Sequence, residues 1–212
     1  MRFGLVVVLS GLFALAAAKP AAGQAWDAPS FMPSHPVDEL GAFALNPPFA
    51  DFGVMGLWRQ SGNLGLGVRA GIVDLEPGGT AFVVGSEFYA SLLRATPASP
   101  LEAMLVVGAG ATFEEGILAR IPVGLSVGAR FADGARELAF SPYVHPRLGL
   151  EILANDDETE TELAFGVDFG LDVELSRTIT LRGAYTWVQG EFAEDALGVG
   201  LVIRAGRRID VR

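Results

Sequence analysis

The chain has 212 residues, no cysteine, 27 glycines, and 15 Lys+Arg against 25 Asp+Glu for a formal charge of −10. So few basic residues exclude a phosphate-tracking nucleic-acid surface, and the missing thiols exclude a disulfide framework, thiolate metal sites and an acylated lipoprotein cysteine. Half of the residues are apolar, which argues against disorder, and the length suits a single all-β barrel.

Met1-Arg2 is a short positive start, and Phe3 to Ala18 is apolar apart from Gly4, Ser10 and Gly11. Small residues follow through Ala25, the layout of a secretory signal peptide cleaved after Ala18, Gly23 or Ala25. Lys19, the only lysine, favours the later two sites. The apolar run of about 16 residues is shorter than the ~20 a spanning helix needs. We therefore expect residues 1–25 to be a signal peptide. Residues 26–37 hold Pro29, Pro33 and Pro36 and show no period, so they read as an extended N-terminal arm. A barrel domain over 38–205 and a tail over 206–212 complete the expected organisation.

From Asp51 onward, apolar and other residues alternate. In the run from Ile117, Ile121, Val123, Leu125 and Val127 share one face, while Arg120, Pro122, Gly124, Ser126 and Gly128 share the other. Similar runs cover 138–152 and 162–174, with weaker copies at 52–60, 63–74, 80–93, 102–113, 178–188 and 196–205. A period of two places such residues on opposite faces of a strand. Ser61-Gly62-Asn63, Pro77-Gly78-Gly79, Asp133-Gly134 and Asn155-Asp156-Asp157 supply turn chemistry between runs. Nine strands follow directly, and Glu39–Leu45 offers a tenth. Pro122, Pro142 and Pro146 lack an N–H for the ladder and suggest bulges or irregular pairing.

The second face is mostly Gly, Ala and Ser, with spaced Arg, Asp and Glu, which suits a crowded barrel lumen. Only Asp74, at the end of its run, places a charge on an apolar face. That exclusion is expected where the face meets lipid, because Arg or Lys there costs about 2–4 kcal/mol at midplane. With the chain ends periplasmic, Trp58, Phe131 and Phe140 fall at inner strand ends and Phe113, Phe165 and Trp187 at outer ends, giving two aromatic girdles. The expected fold is all-β: a closed antiparallel up-and-down transmembrane β-barrel of ten strands, or eight if one run lies outside the wall, since single-chain bacterial barrels have even strand numbers. A secreted lipocalin-like barrel stays open as the alternative; it needs the apolar face inward to bind an apolar ligand.

The pattern resembles small bacterial outer-membrane β-barrels of the OmpA/OmpX-like type over roughly 51–205. Residues 175–185 (LSRTITLRGAY) look like their last periplasmic turn and rising strand, and residues 197–204 (LGVGLVIR) like their closing strand. The family's terminal aromatic residue is replaced by residues 205–212 (AGRRIDVR). The resemblance implies an outer-membrane location, lipid and the barrel-assembly machinery as partners, a structural or surface-contact role, and no cofactor.

Candidate site residues form a charged lumen: Arg69, Arg120, Arg130, Arg147, Arg182 and Arg204 against Glu87, Glu151, Glu162, Asp168, Asp172 and Glu174. Charges in a narrow interior must be paired and hydrogen-bonded. A barrel of about eight strands is largely filled by side chains, so little conduction is expected. His145 shares the inner face with Ser141 and Glu151, but Ser141 lies about 13 Å along the strand from it at ~3.3 Å per residue. Ser126 is the nearer serine, and no nucleophile motif accompanies them, so an enzyme is not expected. Asp156, Asp157, Glu158, Glu160 and Glu162 read as an acidic, solvated outer loop without calcium-loop spacing.

Overall fold

The computed structural model describes residues 28–46, 50–75, 79–113, 116–132, 138–155, 158–190 and 195–204. The expected signal peptide, the tail 206–212 and several turns, with Asp156 and Asp157, lie outside the described residues.

Alternation becomes strand throughout. The strands are β1 (Glu39–Asn46), β2 (Ala50–Gln60), β3 (Gly65–Leu75), β4 (Gly79–Leu93), β5 (Leu101–Phe113), β6 (Ile117–Ala129), β7 (Phe131–Ala132), β8 (Ala139–Ala154), β9 (Thr159–Glu174), β10 (Ile179–Gln189) and β11 (Ala196–Arg204). Apart from β6 and β7, neighbours in sequence pair antiparallel, β1 pairs with β11, and β6 pairs with β8, which closes the sheet. Two-residue β7 continues β6 along β8, so the wall has ten strands. The eight-strand alternative falls because the Glu39–Leu45 run is the strand that joins β2 to β11.

Prolines in the wall interrupt pairing without changing register. The β5–β6 ladder skips the residues opposite Pro122 and the β6–β8 ladder skips those opposite Pro146, yet the pairing sum is the same on either side. Pro142 pairs in register with Leu171. Register shifts occur instead at Ala50/Phe52 and Ser91/Leu93. A second difference concerns the acidic loop: β9 begins at Thr159, so Glu160 belongs to the wall together with Glu162, which the 162–174 run already placed there.

The faces sort cleanly. Leu40, Val54, Ile72, Val84, Leu105, Val123, Leu148, Leu171, Leu181 and Val199, one from each wall strand, are exposed on the outside. The exposed charged side chains among the described residues are Asp74, Arg94, Arg130, Glu158, Glu160, Arg177 and Asp195, each at a strand end or turn. Outward aromatics cluster toward the ends, where Phe131 pairs with Phe140 and Phe165 meets Trp187 edge to face at 6.2 Å. The lipocalin-like alternative requires the opposite arrangement.

Glycine excess follows from what points inward. Long inward side chains lie across glycines of adjacent strands: Tyr89 opposite Gly65, Glu87 opposite Gly67, Arg69 opposite Gly85, Arg182 opposite Gly200 and Tyr143 opposite Gly170. A Cβ at Gly170 would fall within the Tyr143 ring, whereas one at Gly149 would meet nothing within 4 Å. Forcing atoms into a packed site costs about 1–3 kcal/mol. In urea unfolding of detergent-refolded protein, Gly170→Ala is therefore expected to destabilise by about 1–3 kcal/mol, and Gly149→Ala by under about 0.5 kcal/mol.

Candidate functional site

The arm enters the barrel. Residues 28–37 form no strand, since Pro29, Pro33 and Pro36 lack ladder donors, and they lie within the lumen with Phe31 and Met32 fully buried. Phe31 stacks on Phe43 at 4.0 Å, and Ala28 and Phe31 join Leu45, Met55, Leu57, Val73 and Val83 in an apolar cluster. Met32 packs with Tyr89, Met104 and Val106. The expected extended arm is thus a plug, and part of the lumen is apolar to receive it. At its base, Asp38 Oδ1 accepts from Ser61 N at 2.5 Å and Ser61 Oγ at 2.6 Å.

Two guanidinium groups hold the plug. Arg182 Nε and Nη2 donate to the two Asp172 oxygens at 2.6 and 2.8 Å, a bidentate pair. Its Nη1 and Nη2 reach the Glu39 oxygens at 2.7 and 3.0 Å, and Nη1 also donates to Phe31 O at 3.0 Å. All five N–H donors are used. Arg59 donates to Glu87, to Glu39 Oε1 at 2.7 Å, to Phe31 O at 2.7 Å and to Ser30 O at 2.7 Å. Phe31 has φ of 50°, a left-handed conformation that costs a non-glycine residue roughly 1–3 kcal/mol and persists only where the surroundings over-determine it. Here its carbonyl takes donors from both arginines.

The pairing continues toward the rim. Arg204 donates to Asp172 and Glu174 at 2.8 Å each, and Arg130 binds both Glu174 oxygens at 2.8 and 2.7 Å. Arg59, Arg182, Arg204 and Arg130 therefore balance Glu39, Glu87, Asp172 and Glu174. A second group centres on buried Asp168, which accepts from Ser30 N at 3.1 Å, Ser30 Oγ, Thr186 Oγ1 at 2.6 Å and Arg147 Nη2 at 3.4 Å. A third pair, Arg120 Nε with Glu151 Oε1 at 2.9 Å, lies near the opposite end, with Glu162 directly across from Glu151.

Every expected lumen residue except Arg130, which reaches in from the rim with its side chain 43% exposed, belongs to an inward-facing position. Arg69 lies over Gly85. Two residues at the centre were not anticipated: Glu39 and Arg59. On β2 the inward Met55 and Leu57 are as apolar as the outward Val54 and Trp58, so no alternation marks Arg59. The only available signal is the hairpin itself, which sets Glu39 opposite Arg59.

The register sets Ser126 opposite His145, yet the serine that His145 meets is Ser30. Ser126 Oγ donates to Met32 O at 2.9 Å, and His145 Nδ1 lies 2.7 Å from Ser30 Oγ and 3.3 Å from Asp168 Oδ2. Serine and carboxylate thus share one ring nitrogen, whereas a relay needs them on opposite nitrogens. At the mouth, burial reinforced by Arg204 pushes the His35 imidazole down to about 4, so it is neutral at neutral pH.

A cavity of about 20 Å³ lies beside Ser30, Arg69, Glu87, His145 and Arg147, room for roughly one water. The larger concavity, about 700 Å³, is an open apolar one at β1–β4 that includes outward Ala42, Ala44, Gly56 and Ala70. It brings no polar groups together.

Removing one partner of a buried ion pair strands the other charge and costs about 3–5 kcal/mol. Glu39→Gln is expected to destabilise by that amount in urea titration. Arg130→Gln, at the exposed rim, should change stability by about 0–1 kcal/mol. Equal effects would deny Glu39 its central position.

No protein-family profile and no curated protein matches the sequence. Among solved structures, the chain is similar to a bacterial polysaccharide outer membrane secretin, with 10% identity and a TM-score of 0.47, covering 79% of this chain. It spans 58% of that protein's length. It is also similar to a barrel from the de novo design of transmembrane β-barrels, with 16% identity and a TM-score of 0.36, covering 82% of this chain and 100% of that one.

Proposed function

We propose that this protein is a small bacterial outer-membrane β-barrel, of the OmpA/OmpX-like type, exported by the signal peptide over 1–25. Its role is structural or surface-contact and non-enzymatic, with a filled, charge-paired lumen. Lipid surrounds the wall, and the barrel-assembly machinery acts on it during insertion. One observation carries the reading: every wall strand shows large apolar side chains outward, while the buried charges are all inside. Monomeric soluble proteins rarely expose contiguous apolar patches beyond a few hundred Å², and here the patch encircles the molecule.

Hydrocarbon explains that surface directly. A spanning strand needs about 9–11 tilted residues, and β2 through β6 and β8 through β10 have 11 to 16. Closure leaves no unpaired edge, as a bilayer core requires.

Membrane fractionation with unheated gel electrophoresis tests this. The protein is expected in the outer-membrane fraction, and its folded band should shift in mobility on boiling. Recovery in the soluble periplasmic fraction, with no heat-dependent shift, would contradict the proposal.

A further inference from the structure

We propose that the N-terminal arm is a removable plug, and that its withdrawal opens an aqueous path for small hydrated ions through the barrel. The inference rests on the membrane reading and adds an activity to it.

First, the arm is no part of the wall. It joins no ladder, and its three prolines keep it from adding a strand. Secondly, the wall does not depend on the arm for charge balance. Arg59 keeps Glu39 and Glu87, and Arg182 keeps Glu39 and Asp172, when the carbonyls of Ser30 and Phe31 leave. Water can take the vacated donors.

Thirdly, the arm fills space the wall leaves empty. Ser34 Oγ lies over Gly128 and the Phe31 ring over Gly198, where a Cβ would collide with either. Withdrawal vacates the volume of the Phe31 ring and of the Ser34 and Ser30 side chains, the last of which borders the polar cavity. Paired arginines and carboxylates line the lumen beside the vacated volume, so it would be hydrated and only weakly charge-selective. Finally, the left-handed backbone at Phe31 relaxes once the arm is free.

Phe31 and Met32 supply most of the apolar anchorage, so the full-length double variant Phe31→Ala/Met32→Ser, which keeps the backbone strain at position 31, should shift the docked–withdrawn equilibrium strongly. Loss of one buried aromatic ring alone corresponds to about a ten- to hundredfold change. In planar bilayers, the native protein is expected to be nearly silent, and the variant should show discrete openings with at least about a tenfold higher open probability.

A variant that keeps the heat-dependent gel shift, inserts and stays as silent as the native chain would overturn the plug proposal. Failure of the native protein to associate with membranes or to show that shift would instead overturn the membrane reading, and the plug with it. Should the variant not fold, Ser34→Cys in the otherwise native, cysteine-free chain decides. Reaction of its buried thiol with a membrane-impermeant maleimide faster than global unfolding supports withdrawal. Reaction only at the unfolding rate overturns it.

Discussion

Two guanidinium groups without solvent access, Arg59 and Arg182, meet on the single carboxylate of Glu39. Charges of this kind are costly to take out of water, and they survive only with opposite charges and hydrogen bonds around them. That requirement sets the inward parity of β1, β2 and β10. Because side chains alternate, the parity also sends Leu40, Trp58, Leu181 and their neighbours outward. Slipping any one strand by a residue would turn its charged side chain, Glu39, Arg59 or Arg182, to the outside and break the cluster. The buried pairs thus serve as a register device more than as a source of net stability.

The same cluster explains the arm. A narrow barrel wall built with glycines opposite its long inward residues leaves voids, and residues 28–37 fill them. Their carbonyls add acceptors to guanidiniums already paired with the wall, while Phe31 and Met32 bury apolar surface worth about 1.5–3 kcal/mol each. The lumen has two characters as a result. One flank, formed by Phe43, Leu45, Met55, Leu57 and Val83, receives the ring of Phe31. The other holds Asp168, His145 and Arg147 and receives Ser30.

Much of the fold was legible in the sequence because a half-buried strand writes its faces in a period of two. Ile121, Val123 and Leu125 against Arg120, Gly124 and Ser126 needed no further information. The strand Glu39–Leu45 was legible as a possibility, and its inward Gly41, Phe43 and Leu45 show why it was faint: both of its faces are apolar. The site was only half legible. Arg182, Asp172 and Asp168 stand out as charges in alternating runs, but Glu39 and Arg59 sit at strand ends beside apolar inward neighbours. The destination of the arm carried no signal, since Pro29, Pro33 and Pro36 say only that the segment is not a ladder strand. Glu160 looks like a loop residue because an acidic run resembles solvated coil, yet the strand extends to meet the full length of β8.

The direct measurement of which side of the wall meets hydrocarbon uses fluorescence quenching. With the native tryptophans replaced by phenylalanine, a tryptophan introduced at outward Leu125 is placed in vesicles of acyl-brominated phospholipid. Strong quenching by bromine together with protection from aqueous iodide is the predicted result. Quenching by iodide with indifference to the brominated chains would contradict the account.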